Sequence, residues 1–252
     1  PKGHKDLSED QRAKIIYDYI TSNFNYSYVS FKQSGFIPQK PAKTINTSLG
    51  DCKDFSTLFV TLAKMADLDS NLVLVLTSDY GRNNLVLPST DFNHCIAKVM
   101  IDGKPQYLEL TSKYLPYKSL PTSLRGATAL EIPFDAEKTN ETYDLIHLDN
   151  VSRIKSKVNN KIEIDLSDES MNLKVATEVV GHNTAYYKEV FSEPNTEVVK
   201  KSMTEDFNAK LVDDFTLNSV SDYEQNNDTA AISYEQYWFN KNSTITNYYT
   251  SL

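Results

Sequence analysis

The spacing of apolar residues predicts two helices in the first part of the chain. Between Asp51 and Ala66 the apolar residues recur at intervals of three and four positions, the pattern of one helix face. Upstream, Ser8 and Gln11 have the spacing of a capping box at a helix start. The 51–66 face consists of Phe55, Leu58, Phe59, Leu62, Met65 and Ala66, and the upstream helix runs through Arg12, Ile15, Ile16, Tyr19 and Ile20.

Two segments that flank Asp102-Gly103 predict an antiparallel hairpin. Residues 96–101 and 106–110 read as strands, and Asp-Gly between them is the strongest short-range hairpin signal. With a two-residue turn, counting outwards makes His94 and Glu109 diagonal neighbours on one face. Such neighbours are roughly 7–8 Å apart between backbones, within reach of an imidazole and a long carboxylate.

In this register His94 lies opposite Thr111, and Glu109 lies opposite Ile96. A three-residue loop would break the parity, and Pro105 just after the turn leaves that alternative open. The other face reads as core and carries Cys95, Ala97, Val99, Leu108 and Leu110.

Candidate chemistry enters with Cys52, which falls in the first turn of the predicted 51–66 helix. Unpaired N–H groups and the positive end of the helix dipole point at a side chain there and lower the pKa of a thiol. Asp51 can cap the same helix. Cys52, His94 and Glu109 then supply thiol, imidazole and carboxylate, the groups of a candidate catalytic triad.

Each of these residues also has a structural interpretation. A cysteine is commonly a small buried hydrophobe, and Cys95 is interpreted in this way. That reading does not explain Cys52, whose neighbours are charged. Glu109 could be an ordinary exposed strand residue. The remaining histidines have no carboxylate at a matching strand position and are His4, His147 and His182.

Several short motifs follow one another around the candidate triad. They are Gly-Asp-Cys-Lys-Asp at 50–54, Leu-Pro-Ser-Thr-Asp-Phe-Asn-His at 87–94, Asp-Gly-Lys at 102–104, Leu-Glu-Leu-Thr at 108–111, Tyr-Leu-Pro-Tyr at 114–117 and Leu-Pro at 120–121. In order and approximate spacing they resemble the transglutaminase-like cysteine enzymes, specifically the bacterial branch with a Gly-Asp-Cys-Lys-Asp signature. The resemblance covers about residues 8–135.

This resemblance implies an α+β fold with a papain-like core, in which the cysteine helix packs on an antiparallel sheet. It implies Cys52 as the nucleophile, His94 as general base and acid, and a third residue that orients the imidazole. That third residue is usually Asp in the family, whereas here it is Glu109, whose extra methylene moves the carboxylate. We expect the Cys52 backbone N–H as one oxyanion donor, with the Gln39 side chain as a candidate for the second.

A change in charge predicts a domain boundary near Asp144. Residues 1–144 carry a net charge of −1 and residues 145–252 a net charge of −7. We therefore predict a core domain at 1–144 and a smaller C-terminal appendage, β-rich α+β or sandwich-like, at 145–252. Its predicted strands are Lys161–Leu166, Asn172–Val179 and Ala230–Phe239, and its predicted helix is Pro194–Phe207. The resemblance implies β-rich domains on both sides of the core, so we expect a part of a longer, multidomain chain.

Composition excludes several classes of function. The acidic balance argues against nucleic acid as a partner, and no apolar run approaches the roughly 18 residues of a membrane span. Two cysteines rule out a disulfide scaffold, and a bond between Cys52 and Cys95 is not expected. With no metal-ligand spacing and only seven glycines, neither a metal nor a cofactor is expected. The sequence does not indicate an oligomeric state.

Pro1 in place of an initiator Met predicts a trimmed chain, so the sequence does not fix the compartment. Export to the periplasm or the cell surface is the expectation.

Three functions compete. The first is a cysteine protease or amidase that hydrolyses a peptide or isopeptide amide of a peptide or protein substrate through an acyl-Cys52 intermediate. The second is protein-glutamine transglutamination; the resemblance implies that such enzymes shield the thioester with tryptophan, and the only one here is Trp238, in the appendage. The third is a catalytically weak or inactive binding module that kept the cleft.

Overall fold

The computed structural model describes residues 6–28, 37–80, 91–133, 145–148, 157–166, 170–195, 197–199, 201–202, 212–222 and 229–239. Contacts divide the chain into two compact units, Pro1–Ile154 and Lys155–Leu252. The change in charge predicted a domain boundary near Asp144, but the division between the units lies after Ile154. Leu145–His147 belongs to the first unit because it forms a strand that pairs there. The role of the second unit as a separate appendage stays a prediction.

The first unit begins with helix α1, Glu9–Asn23. It starts with the predicted capping box, in which the Gln11 N–H donates to Ser8 Oγ at 3.2 Å and the Ser8 N–H donates to Gln11 Oε1 at 3.0 Å. The buried face is rotated from the residues that the pattern selected, since Ile15 is 55% exposed. The buried residues of α1 are Ala13, Ile16, Tyr17, Ile20 and Thr21.

Two further helices follow, α2 at Pro41–Thr47 and α3 at Cys52–Met65. We call α3 the cysteine helix. It agrees with the predicted segment to within a residue at each end, and Asp51 is its N-cap. Most of the predicted face is buried or partly buried, but Met65 in the last turn is 73% exposed.

A two-stranded parallel sheet connects the end of α1 to the start of the cysteine helix. It consists of β1, Asn25–Tyr26, and β2, Leu49–Gly50, with Tyr26 paired to Gly50. Gly50 lies very close to the helix, because a Cβ placed on it would come within 2.8 Å of the Asp54 Cβ and 3.0 Å of a Phe55 ring carbon. A side chain at position 50 would therefore push β2 away from the cysteine helix.

The main sheet of the first unit has five antiparallel strands in the order β5-β4-β3-β6-β7. The strands are β3 Ser70–Leu76, β4 His94–Ile101, β5 Lys104–Leu108, β6 Thr128–Ile132 and β7 Leu145–His147. The cysteine helix and α1 cover one face, with Phe55, Leu58 and Phe59 in the same apolar cluster as Ala97 and Val99. This is the α+β architecture predicted from the sequence.

The β4–β5 hairpin has the predicted register. Ile101 pairs with Lys104 and Ala97 pairs with Leu108. Both residues of the Asp102-Gly103 turn have positive φ, 50° and 72°, as a two-residue type I′ turn requires. Pro105 therefore does not introduce a third loop residue.

The ladder ends earlier than predicted. β5 stops at Leu108, so Glu109 and Thr111 lie beyond it and do not pair with β4. On its other side β4 pairs with β3, where His94 lies opposite Val75. Because β5 ends at Leu108, Glu109 reaches His94 from the segment that follows the strand.

The second unit contains a four-stranded antiparallel sheet in the order β10-β11-β9-β8. Its strands are β8 Lys157–Leu166, β9 Ser170–Val180, β10 Val212–Asp222 and β11 Thr229–Phe239, and a short helix, α4, spans Thr184–Phe191. The predicted hairpin and the predicted last strand are thus present. Of the predicted helix at 194–207, residues 197–199 and 201–202 are helical, and positions 196, 200 and 203–207 lie outside the described residues.

The close approach at Gly50 predicts that Gly50→Ala destabilises the first unit. We expect the free energy of unfolding to fall by about 1–3 kcal/mol, the usual cost of inserting a methyl group into a packed site. Denaturant unfolding of the two proteins measures this difference.

Gly103→Asn is the control, because nothing lies within 4 Å of a Cβ there and Asn tolerates the left-handed conformation. An equal or smaller loss for Gly50→Ala than for Gly103→Asn would contradict the steric argument.

Candidate active site

The capping box of the cysteine helix fixes the position of Cys52, its first residue. Asp51 Oδ1 accepts the N–H groups of Lys53 and Asp54 at 2.9 and 3.2 Å, and Asp54 Oδ2 accepts the Asp51 N–H at 3.0 Å. The cap thus takes up the second and third N–H groups of the helix rather than the first. The Cys52 N–H, the first, is therefore left directed out of the helix.

The charges around the thiol are balanced within the motif itself. Lys53 Nζ lies 2.6 Å from Asp51 Oδ2, and both side chains are almost fully buried. Asp54 Oδ1 also accepts the Gln39 N–H at 2.8 Å, which ties the preceding segment to the helix start. Because Lys53 neutralises the Asp51 carboxylate, the cap does not place an unbalanced negative charge beside a Cys52 thiolate.

His94 is the first residue of β4, and a side-chain clamp holds the chain just before it. Asn93 Oδ1 accepts the Thr77 N–H at 2.9 Å, and Asn93 Nδ2 donates to Thr77 Oγ1 at 2.8 Å. The cysteine helix is attached to the same strand, because Ser56 Oγ donates to the Cys95 carbonyl at 3.1 Å. Ser56 lies about one turn after Cys52, and Cys95 follows His94. This hydrogen bond therefore links the segment that carries the thiol to the strand that carries the imidazole.

Glu109 lies beside His94, as the hairpin register predicted. His94 Nε2 is 2.6 Å from Glu109 Oε2, and the glutamate side chain is 4% exposed. The other carboxylate oxygen, Oε1, accepts the Thr111 N–H at 2.7 Å and the Thr111 hydroxyl at 2.6 Å. Thr111 therefore fixes the longer side chain, so the extra methylene of Glu is accommodated without loss of the contact.

The third interaction of the site is between His94 and Cys52, which is close enough to raise the pKa of the imidazole. Because Nε2 is engaged with Glu109, the ring nitrogen left for the thiol is Nδ1. The structure thus brings together all three sequence-predicted residues, with His94 between Cys52 and Glu109.

The electrostatics favour a protonated imidazole. Burial would lower the pKa of His94, but the Glu109 charge and the hydrogen bonds to Cys52 and Glu109 outweigh it and raise this pKa to about 10. Burial would likewise raise the pKa of Glu109, but His94 and both bonds from Thr111 lower it below its usual value. At neutral pH the site therefore holds an imidazolium against a carboxylate, with an acidic proton facing the thiol.

Cys95 differs from Cys52 in the way that the sequence predicted. Burial raises the pKa of its thiol, and the nearby Cys52 adds to the shift. Both cysteines are reduced and belong to one small apolar cluster. The Cys95 side chain is therefore inert packing under the site.

Two residues near the site have roles that the sequence did not assign. Gln39, the candidate second oxyanion donor, directs Nε2 to the Leu49 carbonyl at 2.9 Å and so holds β2. Tyr26 lies on β1, and its hydroxyl interacts electrostatically with Cys52 and Glu109. An isolated tyrosine after a helix gives no sequence signal for such a position.

Two other kinds of feature are absent from the described part of the chain. No group of three or more His, Cys, Asp or Glu residues there is arranged to hold a metal ion. None of the described helices has the length and apolar character to cross a membrane.

Comparison with known proteins identifies the class of the first unit. Residues 2–109 match the family model of the transglutaminase-like superfamily. The chain thus contains a transglutaminase-like domain with the α+β core typical of this superfamily of thiol-dependent enzymes, and the resemblance found in the sequence is confirmed at that level. No curated protein matches the chain.

A similar solved structure is that of a protein from Parabacteroides distasonis described as a "putative protease". It shares 10% sequence identity with the chain at a TM-score of 0.43, and the match covers 96% of this chain. The chain spans about half of that protein, 48% of its length. The similarity is too low to support an argument about function.

The bonds from Thr111 predict an effect on stability. The lowered pKa of Glu109 contributes stability that is present above the unfolded-state pKa and is lost as pH falls through the lower folded-state pKa. We expect Thr111→Val to lower the free energy of unfolding at pH 7 by about 1.5–3 kcal/mol, the value of a hydrogen bond to a charged group. The difference from the parent should shrink as acid protonates Glu109.

Urea unfolding at a series of pH values measures this effect. Thr111→Ser, which keeps both donors, serves as the control and should resemble the parent. A deficit of the valine variant that is the same at pH 7 and in acid would show that Thr111 acts through packing alone.

Proposed function

We propose that Cys52, His94 and Glu109 form a catalytic triad that hydrolyses a peptide or isopeptide amide through an acyl-cysteine intermediate. The observation that carries this proposal is the position of His94, which binds Glu109 through Nε2 at 2.6 Å and interacts electrostatically with Cys52. In this arrangement the imidazole can exchange a proton with the nucleophile while the carboxylate holds its orientation.

The proposed reaction consists of acylation of Cys52 and hydrolysis of the resulting thioester. The Cys52 thiolate attacks the carbonyl carbon, and the electron pair of the carbonyl bond moves to oxygen, where the Cys52 N–H can bind it. His94 then gives its proton to the leaving amine as the C–N bond breaks. Neutral His94 next accepts a proton from the water that attacks the thioester. The C–S bond then breaks, the carboxylic acid leaves, and the Cys52 thiolate again faces a protonated His94.

Glu109 supports the enzyme interpretation over an inactive binding module. A relaxed site would have no need to keep a buried carboxylate, which is costly unless it is paired. Here one oxygen binds His94 at 2.6 Å and the other binds Thr111 twice. The replacement of Asp by Glu is thus compensated by Thr111.

Hydrolysis is favoured over transglutamination by the distribution of tryptophan. The resemblance implies a tryptophan shield around the thioester in transglutaminases, and Trp238, the single tryptophan of the chain, belongs to the second unit. With no indole in the first unit, water is the acceptor that we propose.

Several finer assignments belong to the same proposal. They are membership of the bacterial branch with the Gly-Asp-Cys-Lys-Asp signature, a peptide or protein as the substrate, and a multidomain parent protein.

The assignment of the nucleophile predicts selective labelling. At pH 6 iodoacetamide should alkylate Cys52 at least ~10-fold faster than Cys95, because Cys52 lies at a helix start and interacts with His94, whereas the pKa of the Cys95 thiol is raised. Mass spectrometry of tryptic peptides gives both rates in one sample, and Cys52→Ala identifies the Cys52 signal. Equal rates, or faster labelling of Cys95, would remove the assignment.

The role of Glu109 predicts a loss of turnover. A carboxylate that orients a catalytic imidazole is worth several orders of magnitude in comparable triads, so Glu109→Gln should lower turnover by at least ~100-fold while the fold survives. A screen of peptide substrates against the parent protein supplies the assay. Glu109→Asp restores the usual residue of the family, and we expect it to be less active than the parent because Thr111 holds the longer side chain.

Glu131→Gln is the matched control, because Glu131 is paired with Lys98 on the same sheet and away from the triad. It should keep the parent's turnover. If Cys52→Ala retained the activity, the protein would not be a thiol-dependent enzyme and the cleft would be a peptide-binding surface.

A further inference from the structure

Tyr26 is held at the start of the cysteine helix by contacts on two sides. Its backbone pairs with Gly50 in the parallel β1–β2 sheet, and the next residue donates its N–H to the Gly50 carbonyl at 2.9 Å. Its ring packs edge-on against Phe55, with ring centroids 6.2 Å apart and an interplanar angle of 63°. Gly50 and Phe55 lie two residues before and three residues after Cys52, so this tyrosine stands beside the nucleophile.

The side chain of Tyr26 is partly exposed, at 37%. The charges that act on its hydroxyl come first from Cys52 and then from Glu109 and Asp51. The pairing with Gly50 and the ring contact with Phe55 thus place Tyr26 at the start of the cysteine helix, with its hydroxyl within electrostatic range of the triad.

The oxyanion formed at Cys52 lacks a second donor in the arrangement described so far. The capping box leaves the Cys52 N–H as the first donor. Gln39, the sequence-based candidate, already directs its side-chain nitrogen to the Leu49 carbonyl. A phenol O–H beside the thiol is a suitable alternative, because tyrosine hydroxyls serve as oxyanion donors.

We propose that the Tyr26 hydroxyl is the second oxyanion donor of the site, a role that rests on the acyl-transfer function proposed above. When the thiolate adds to the carbonyl carbon, the carbonyl electron pair moves to oxygen, and Tyr26 donates a hydrogen bond to it alongside the Cys52 N–H. No proton is transferred from the phenol. The hydrogen bond is released when the carbonyl re-forms and the leaving group departs.

The electrostatic surroundings keep this donor protonated. Burial raises the pKa of Tyr26, and the negative charges of Cys52, Glu109 and Asp51 raise it further. The phenol therefore keeps its proton at neutral pH, where the His94 imidazole is also protonated. The Tyr26 phenol is therefore too weak an acid to protonate Cys52 in place of His94.

Two reactions of Cys52 separate this role from a structural one. Acylation by p-nitrophenyl acetate passes through a tetrahedral oxyanion, and the burst of p-nitrophenolate measures its rate. Alkylation by iodoacetamide displaces iodide at a saturated carbon and forms no oxyanion. Tyr26→Phe keeps the ring that packs on Phe55 and removes only the hydroxyl, and Tyr28→Phe, at a tyrosine that is 75% exposed, is the matched control.

We expect Tyr26→Phe to slow the burst by about 10²-fold, the cost of losing one oxyanion donor, and to leave the alkylation rate within about twofold of the parent. Tyr28→Phe should leave both rates unchanged. An unchanged burst in Tyr26→Phe, or a large loss in Gln39→Ala instead, would overturn the assignment of Tyr26 alone.

Equal losses of acylation and alkylation in Tyr26→Phe would show that the hydroxyl acts on the thiolate or on the fold, and would also overturn it. If the parent protein itself gave no burst, the proposed acyl transfer and the role of Tyr26 would fail together.

Discussion

The pairing of a buried carboxylate is the constraint on which the rest of the site depends. Glu109 is almost inaccessible to water, and an ionised carboxylate in such a place is stable only with a cation and further hydrogen bonds. Thr111 supplies two hydrogen bonds and His94 supplies the charge. Because His94 binds Glu109 through Nε2, the ring is held in one orientation and its other nitrogen is left for Cys52.

The nucleophile and the imidazole come from two rigid elements that are bonded to each other. The capping box determines where the cysteine helix begins, and Ser56 attaches its first turns to the Cys95 carbonyl in β4. The distance between Cys52 and His94 is thus set by helix and strand rather than by a loop. Sites built on such elements keep their geometry better than sites built on loops.

The local features of this site could be predicted from the sequence. The Asp102-Gly103 turn determined the register of the hairpin, and the apolar spacing located the cysteine helix. The register of the hairpin predicts that His94 and Glu109 lie close together. Their predicted positions in the ladder were wrong in detail, because pairing ends at Leu108, and hydrophobic pattern does not indicate where a strand stops.

The non-local features could not be predicted. The position of β3 between β4 and β6 depends on contacts across long stretches of chain, for which a single sequence carries no periodic signal. The burial of α1 was shifted because Ile15 faces away from the sheet, which depends on how the helix docks. Tyr26 was missed for the same reason, since its approach to Cys52 requires the β1–β2 pairing.

The five residues from Gly50 to Asp54 divide their work unequally. Gly50 allows the close approach of β2, Asp51 and Asp54 form the capping box, and Lys53 balances the charge of Asp51. Four of the five residues therefore hold the segment that carries the Cys52 thiol. Asp51 and Lys53 are buried and paired with each other, so substitution of either one alone is expected to lower the free energy of unfolding. The motif therefore serves the start of the helix as much as the thiol, and a Cys52→Ala protein would keep the four neighbouring residues that hold this segment in place.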